Sequence, residues 1–260
     1  MEVLSPRTLD EALRIKAERP EAVPIQGGTD VMIELNFDRG RPAALLNLNE
    51  VEELRGWSRQ NGTVWLGAGV TYADAMQPPL SELLPALAEA SRTVGGPQIR
   101  NRGTIGGNLG TASPAGDAIP PLLVAGTEVK LISVRGERVV PLQDFLVGPK
   151  RNALAEDELI AGVSVALSDS RETFMKVGPR NAMVISVVSL ALRVDHELRA
   201  AFGSAGPVPT LVSAGLGDVH SFPDRVADAA SPIDDVRGTA AYRRHALRVL
   251  TRRALERCLV

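Results

Sequence analysis

Cysteine is nearly absent from this sequence of 260 residues, and only Cys258 occurs, close to the carboxyl end. A single cysteine cannot form a disulfide within the chain, and it cannot by itself ligate an iron–sulfur cluster. Any cluster that takes part in the chemistry must therefore belong to another chain. The histidines are far apart in the sequence, and neither Cys-x-x-Cys nor His-Glu-x-x-His occurs, so we predict no metal site here.

Long apolar runs and a strong charge of one sign are also missing. No apolar run reaches the roughly 18 residues that suggest a membrane-spanning helix. The first residues, Met1 to Pro6, lack a basic region followed by an apolar one, so we expect no signal peptide and a cytoplasmic protein. The formal net charge of -2 comes from 29 basic and 31 acidic residues spread along the chain, which predicts no general attraction to nucleic acid or to membranes.

Several signatures of catalysis are absent too. There is no Gly-Lys pair for a P-loop and no Gly-x-Ser-x-Gly elbow. Gly67-Ala68-Gly69 follows a predicted strand, but Tyr72 stands where a Rossmann turn needs its third glycine. We therefore identify no residue as a catalytic acid, base or nucleophile.

The patterns that are present predict a mixed α+β fold in three parts. Residues 1–50 form a small α/β lobe, residues 51–167 a lobe rich in antiparallel sheet, and residues 172–260 a C-terminal domain with a three-stranded sheet and helices. Ser168–Arg171 is the candidate linker. Helices are predicted at 9–19, 81–94, 119–124 and 240–259, and strands at 22–26, 44–48, 54–58, 63–67, 128–134, 137–142, 159–166, 173–177, 184–195 and 198–203. The segment 97–116, rich in Gly, Asn, Ser, Thr and Pro, is predicted to be an ordered loop.

Two glycine pairs are candidate phosphate-binding segments. Gly27-Gly28-Thr29-Asp30 follows a predicted strand, where successive backbone N–H groups can point at an anion and no side chain keeps it away. Thr104-Ile105-Gly106-Gly107-Asn108 offers a second such cluster, with Arg100 and Arg102 beside it. Two clusters suit a diphosphate, although two unrelated turns explain the spacing equally well.

Asp117 stands just before the apolar segment 119–124. At such a position a carboxylate either caps the helix or accepts hydrogen bonds from ribose hydroxyl groups. Capping is the commoner of these two roles.

Three segments resemble the FAD-binding (medium) subunits of the molybdenum hydroxylase family, the type found in xanthine dehydrogenase and carbon monoxide dehydrogenase. They are Pro24–Asp30, Gln98–Asn108 and Ala112–Leu122, and the last two together are highly specific. The resemblance extends more loosely over the whole chain, including Ala201–Pro209. It implies an FAD-binding domain of the vanillyl-alcohol-oxidase-like type.

The resemblance also implies where FAD binds. The two glycine segments would hold the pyrophosphate, Asp117 the ribose or ribityl side, Lys176 would lie close to the isoalloxazine, and Ile160 would contact that ring. Val94 stands where some relatives have an aromatic residue beside the ring. The cofactor-binding residues implied in this way are Ile25, Gln26, Gly27, Gly28, Thr29, Asp30, Val94, Thr104, Ile105, Gly106, Gly107, Asn108, Ser113, Asp117, Ile160 and Lys176.

The function implied is electron transfer within a heteromeric complex. A large molybdenum-cofactor subunit would oxidise the substrate, and a small subunit would pass the electrons through 2Fe–2S clusters to FAD on this chain, which would deliver them to NAD+, a quinone or another acceptor. Two alternatives remain open. One is a self-contained FAD-dependent oxidoreductase of the same fold, and the other is a non-catalytic flavin-binding scaffold or redox module.

Overall fold

A computed structural model describes residues 1–181 and 183–260. The strands are β1 (Glu2–Leu4), β2 (Val23–Ile25), β3 (Ala44–Asn47), β4 (Trp57–Gln60), β5 (Thr63–Gly67), β6 (Glu128–Ser133), β7 (Gly136–Pro141), β8 (Leu146–Gly148), β9 (Arg151–Asn152), β10 (Leu159–Ala166), β11 (Arg171–Val177), β12 (Val188–Val194), β13 (Glu197–Gly203) and β14 (Thr210–Gly215). The α-helices are α1 (Leu9–Glu18), α2 (Val31–Asn36), α3 (Tyr72–Ala75), α4 (Leu80–Leu83), α5 (Pro85–Thr93), α6 (Pro97–Arg100), α7 (Ile105–Thr111), α8 (Ile119–Val124), α9 (Leu142–Phe145), α10 (Phe222–Asp228) and α11 (Ala240–Leu259). The chain therefore has the mixed α+β fold predicted from the sequence.

The first sheet is parallel, with strand order β1-β3-β2. α1 begins after Thr8, whose side chain accepts a hydrogen bond from the Glu11 N–H, and it buries Ala12 against the sheet. The core beneath this sheet also contains Leu159 and Ala161 of β10. The first sheet and the second sheet therefore share a core, and β2 ends at the first glycine segment.

The second sheet is antiparallel, with strand order β4-β5-β10-β6-β7. The turn between β4 and β5 contains Asn61 with φ 49° and Gly62 with φ 76°. Positive φ at both central residues is the geometry that an Asn-Gly pair favours in a tight hairpin, as the sequence predicted. The central strand, β10, has an irregular register between Ile160 and Gly162.

The third sheet has four antiparallel strands in the order β11-β12-β13-β14, rather than the three that the sequence predicted. α10 and α11 cover one face, where Phe202 and Leu247 are buried in one apolar cluster. The residues Phe174, Ala191 and Ala201 of this sheet belong to a second cluster, shared with α8. The sheet is therefore packed on both faces, and α8 fixes it beside the second lobe.

Other differences from the prediction concern the number and the bounds of elements. The helix predicted at 81–94 is two helices, α4 and α5, because Pro85 begins a new helix at its first position, where no N–H is needed. The segment 97–116 contains α6 and α7 instead of being only a loop. β12 begins at Val188, not at residue 184. Among the described residues, no helix is long and apolar enough to cross a membrane.

Candidate functional site

The first glycine segment leaves β2 and leads into α2. Gly28 adopts a φ of 71°, a left-handed conformation that glycine enters without steric cost. Within residues 1–181 and 183–260, the backbone N–H groups of Gly27, Gly28, Thr29 and Asp30 donate to no backbone carbonyl. Four successive donors without a protein acceptor are suited to an anion, as the sequence predicted for this segment.

Gly27 brings the two glycine segments together. A Cβ at this position would lie 2.1 Å from the Arg102 carbonyl oxygen, so only glycine fits there. The Arg102 guanidinium donates to the Gln26 carbonyl oxygen at 3.1 Å and to the Asn49 amide oxygen at 3.0 Å. Residues distant in sequence therefore form one continuous surface at the end of β2.

The second glycine segment is the start of α7 and not an open loop. Thr104 is the N-cap residue, and its hydroxyl accepts a hydrogen bond from the Gly107 N–H at 2.9 Å. The Ile105 N–H donates to the Val70 carbonyl at 2.8 Å, and the Gly106 N–H donates to the Ala68 carbonyl at 2.8 Å. The expectation of a second cluster of free N–H groups is therefore wrong for these residues, because each donor already has a protein acceptor.

Gly106 and Gly107 are each required to be glycine, but by different steric contacts. A Cβ on Gly106 would lie 2.5 Å from the Ala68 Cβ, so the close contact with the chain after β5 requires its absence. A Cβ on Gly107 would lie 2.9 Å from the Thr104 hydroxyl oxygen, which caps the helix. The two glycines allow α7 to approach β5 and allow Thr104 to cap the helix.

Asp117 does not cap α8, so the capping interpretation is wrong. Ala118 is the N-cap residue of that helix and makes no side-chain cap. Instead, the Asp117 Oδ2 accepts a hydrogen bond from the Lys176 Nζ at 2.6 Å, and both side chains are more than nine-tenths buried. Burial raises the pKa of the Asp117 carboxyl, although the neighbouring Lys176 ammonium acts in the opposite direction.

Two buried acceptors in the second and third motifs have no hydrogen-bond donor among the described residues. They are the Asp117 Oδ1 and the Asn108 Oδ1. Asn108 lies against Gly116, where a Cβ would come within 2.8 Å of its Nδ2. A buried polar atom without a partner costs about 1–3 kcal/mol, so these oxygens fit a ligand that brings hydroxyl donors. FAD carries such hydroxyls on its ribityl chain and its ribose.

Lys176 connects this acceptor pair to α5. It lies on β11, and its Nζ also donates to the Thr93 carbonyl at 3.3 Å, immediately before Val94. The Arg100 guanidinium donates to the Val94 carbonyl at 3.1 Å. The structure therefore brings Asp117, Lys176 and Val94 to one place, although they are far apart in the sequence.

The remaining predicted residues lie around these groups. A Cβ on Gly28 would contact the Ile25 side chain at 3.3 Å, and a Cβ on Gly69 would lie 2.4 Å from the Gln26 amide nitrogen. The Ser113 hydroxyl accepts from the Ala115 N–H at 3.2 Å, which closes a local turn. Ile160 approaches α7, where a Cβ on Gly110 would lie 3.8 Å from its Cδ1.

Sequence reasoning missed two contributors to the site. Asn49 follows the parallel strand β3, and its amide oxygen accepts a hydrogen bond from Arg102. A polar residue at the carboxyl end of a parallel strand is a sequence signal that could have identified it as a site residue. The Pro114 carbonyl accepts from the Ser204 N–H at 2.7 Å, which fixes the third motif to the C-terminal sheet. No local pattern could have shown that second contact, because it joins two distant segments.

Two surface clefts lie at other places. The larger, of about 700 Å³, is lined by the linker and by the end of α11, including Ser168, His196 and Cys258. The smaller, of about 250 Å³, is lined by Trp57 and Gln77 among others. In the described part of the chain, no group of three or more metal-ligating side chains occurs.

Comparison with known proteins identifies the family. The model of the FAD binding domain in molybdopterin dehydrogenase matches residues 1–167. The chain is 29% identical to the putative xanthine dehydrogenase FAD-binding subunit of Escherichia coli (strain K12), over 95% of this chain and 92% of that protein. It is 30% identical to the nicotine 6-hydroxylase medium subunit of Paenarthrobacter nicotinovorans, over 96% of this chain and 94% of that protein.

Solved structures show the same fold. A chain of the carbon monoxide dehydrogenase from Hydrogenophaga pseudoflava superposes with a TM-score of 0.92 at 24% identity, covering 100% of this chain and 97% of that one. A chain of quinoline 2-oxidoreductase from Pseudomonas putida 86 gives a TM-score of 0.92 at 22% identity, covering 99% and 96%. The chain therefore belongs to the family of FAD-binding domains of molybdopterin dehydrogenases and is an FAD-binding electron-transfer subunit of an oxidoreductase of that class.

Proposed function

We propose that the chain binds the FAD pyrophosphate with the backbone N–H groups of Gly27, Gly28, Thr29 and Asp30. The observation that supports this most strongly is that these four successive donors have no backbone acceptor within the described residues. Backbone donors bind phosphate oxygens through directed hydrogen bonds, and the positive φ of Gly28 allows the turn that carries them. Ile25 and Gln26 support this turn from the end of β2.

The hydroxyl groups of FAD would meet the second and third motifs. Asn108 and Asp117 each offer a buried oxygen to which no described residue donates. The Thr104 hydroxyl already accepts from Gly107 and keeps its own proton to donate. Ile105, Gly106 and Gly107 place these groups by packing α7 against β5, and Ser113 shapes the turn that precedes Asp117.

Lys176 would lie beside the isoalloxazine. Its ammonium is held by the Asp117 carboxylate and the Thr93 carbonyl, which leaves one N–H for a third acceptor. A fixed positive charge next to the ring stabilises negative charge that arrives with electrons. Val94 and Ile160 offer apolar side chains, and we assign no residue of this chain as a general acid or base on the primary substrate.

The chain would work as one subunit of a complex. Bound FAD accepts single electrons and releases a pair as hydride, which suits a position between one-electron centres and a two-electron acceptor. We propose a large molybdenum-cofactor subunit and a small subunit with 2Fe–2S clusters as partners, and NAD+, a quinone or another acceptor as the destination. One relative is named the medium subunit of nicotine 6-hydroxylase, and a medium subunit implies other subunits, which supports such an assembly. We also propose a cytoplasmic location.

Expression with its native partners tests this function. We expect the chain to carry FAD, seen in its visible spectrum, and to co-purify with a large molybdenum-containing chain and a small iron–sulfur chain. A chain that neither contains nor binds flavin would contradict the proposal. Turnover of a small substrate by the FAD-loaded chain alone would contradict the subunit role and would favour a self-contained oxidoreductase.

A further inference from the structure

Glu89 joins α5 to the strand that carries Lys176. One oxygen of its carboxylate accepts two hydrogen bonds from β11, from the Thr173 hydroxyl at 2.8 Å and from the Phe174 backbone N–H at 2.7 Å. Thr173 is completely buried. A carboxylate that accepts two hydrogen bonds from a neighbouring element fixes the position of that element more firmly than apolar packing alone.

The second connection between the same two elements is made by Lys176 itself. Thr93 lies one helical turn after Glu89, and its carbonyl accepts from the Lys176 Nζ at 3.3 Å. α5 and β11 are thus joined at two points, one through Glu89 and one through Lys176. A shift of β11 along α5 would move the ammonium away from both Thr93 and Asp117.

The C-terminal helix completes this arrangement. The Arg257 Nη1 of α11 donates to the Thr173 hydroxyl oxygen at 2.9 Å and lies 3.5 Å from the second carboxylate oxygen of Glu89. Its charge balances that of Glu89. The hydroxyl of Thr173 therefore has a donor and an acceptor, and three elements, α5, β11 and α11, meet at this one residue.

We propose that Glu89 is a positioning residue for Lys176: it fixes β11 against α5 so that the Lys176 ammonium stays between the Asp117 carboxylate and the Thr93 carbonyl, beside the flavin. The proposal rests on the placement of Lys176 in the proposed function. Glu89 itself would not touch FAD. Loss of Glu89 would let β11 move, weaken the ammonium's stabilisation of reduced flavin, and disfavour reduction.

The test compares variants of the full-length FAD-loaded chain by the ratio of reduced to oxidised flavin at one fixed potential. We expect Lys176→Met to lower this ratio by about tenfold, since a fixed charge close to a forming charge is worth an amount of this order. Glu89→Ala should lower the ratio in the same direction, and adding Glu89→Ala to Lys176→Met should produce little further change. Glu89→Gln, which keeps an acceptor for the Phe174 N–H, should lower the ratio by a smaller factor and provides a milder variant if Glu89→Ala folds poorly.

Glu53→Ala is the matched control, because the Glu53 carboxylate also joins two elements by accepting a backbone N–H, from Leu9 at 3.1 Å, but in the first lobe. It should leave the ratio unchanged. If Lys176→Met lowers the ratio while both Glu89 variants leave it at the wild-type value, Glu89 is not a positioning residue. If Lys176→Met itself changes nothing, the placement of Lys176 fails and this proposal fails with it. A drop with Glu53→Ala equal to that with Glu89→Ala would assign the effect to general destabilisation and would also overturn the proposal.

Discussion

Gly27 shows how a single residue decides whether the site can form. Its Cα faces the carbonyl group of Arg102, and the two segments can meet only because no Cβ lies between them. The sequence predicted the glycine but gave another reason for it, which was access for a phosphate. The structure shows the packing reason at this position, because a Cβ would point at the Arg102 carbonyl oxygen, and access for a phosphate stays a prediction.

Replacement of Gly27 by alanine is expected to harm both folding and FAD binding. The added Cβ must move the Arg102 backbone, and overpacking of this kind costs about 1–3 kcal/mol. We expect the dissociation constant for FAD to rise by about tenfold or more. Gly215→Ala is the matched control, because this exposed glycine has a φ of -69° and nothing within 4 Å of an added Cβ. Equal FAD affinity of the wild type and Gly27→Ala, measured by fluorescence titration, would show that Gly27 does not shape the site.

At the scale of elements, the sequence predicted well those with a clean pattern. β5, β10 and α11 have the predicted bounds, because alternation in β5 and a buried apolar run in β10 agree with the final packing. In α11 the bounds are right although Arg243 is buried and Tyr242 is exposed. α7 was missed because Gly106 and Gly107 disfavour a helix by their intrinsic propensity. The Thr104 cap and the close contact with Ala68 override that propensity, and only the tertiary structure shows them.

Motif reasoning had similar limits at the site. It named Asp117, and the family resemblance named Lys176, but neither showed that these two side chains form a buried ion pair. β14 was missed because it does not alternate between buried and exposed residues and follows a segment containing Pro207 and Pro209. The division into domains at residues 50 and 171 stays a prediction, although the linker is followed directly by β11.

The pair of Arg138 and Glu158 gives a prediction at the element scale, since it ties β7 to the segment before β10. Glu158 is buried and accepts two hydrogen bonds from the Arg138 guanidinium and one from the Ala155 N–H. The Arg138 guanidinium lowers the pKa of the Glu158 carboxyl, burial opposes this, and the Ala155 N–H adds to the lowering. Because the pKa of Glu158 is lower in the folded state than its unfolded-state value of about 4.3, the ionised carboxylate stabilises the fold above that pH. This stabilisation is lost as the pH falls through the folded-state pKa.

Glu158→Gln should therefore lower the free energy of unfolding near pH 7 by about 1–2 kcal/mol, a modest loss because Arg138 is half exposed to solvent. The difference from the wild type should shrink as the pH falls below the unfolded-state value of about 4.3, and it should be lost once the pH passes the lowered folded-state pKa. Urea unfolding at several pH values measures both quantities. A difference that stays constant down to pH 3 would mean that the ion pair does not stabilise the fold through its charge.

At the scale of the whole molecule, each sheet contributes a different part of the site. The parallel sheet ends at the first glycine segment, α7 packs against the second sheet and presents Asn108, and the C-terminal sheet carries Lys176. Three contacts join these parts: Gly27 with Arg102, Asn108 with Gly116, and Asp117 with Lys176. In the proposed function one ligand contacts residues that belong to all three parts, and the two nucleotide halves of FAD suit such a site.

The affinity of the flavin-free, full-length chain for FAD and for FMN tests this account most directly. FMN lacks the pyrophosphate bridge and the adenosine, so in the proposed placement it would lose the pyrophosphate contacts with the first glycine segment. Titration followed by flavin fluorescence should show that one FAD binds per chain. The dissociation constant for FMN should be at least about tenfold higher than that for FAD. Equal affinity for the two flavins, or no binding of FAD, would contradict the claim that Gly27–Asp30 holds the pyrophosphate while Lys176 lies at the ring.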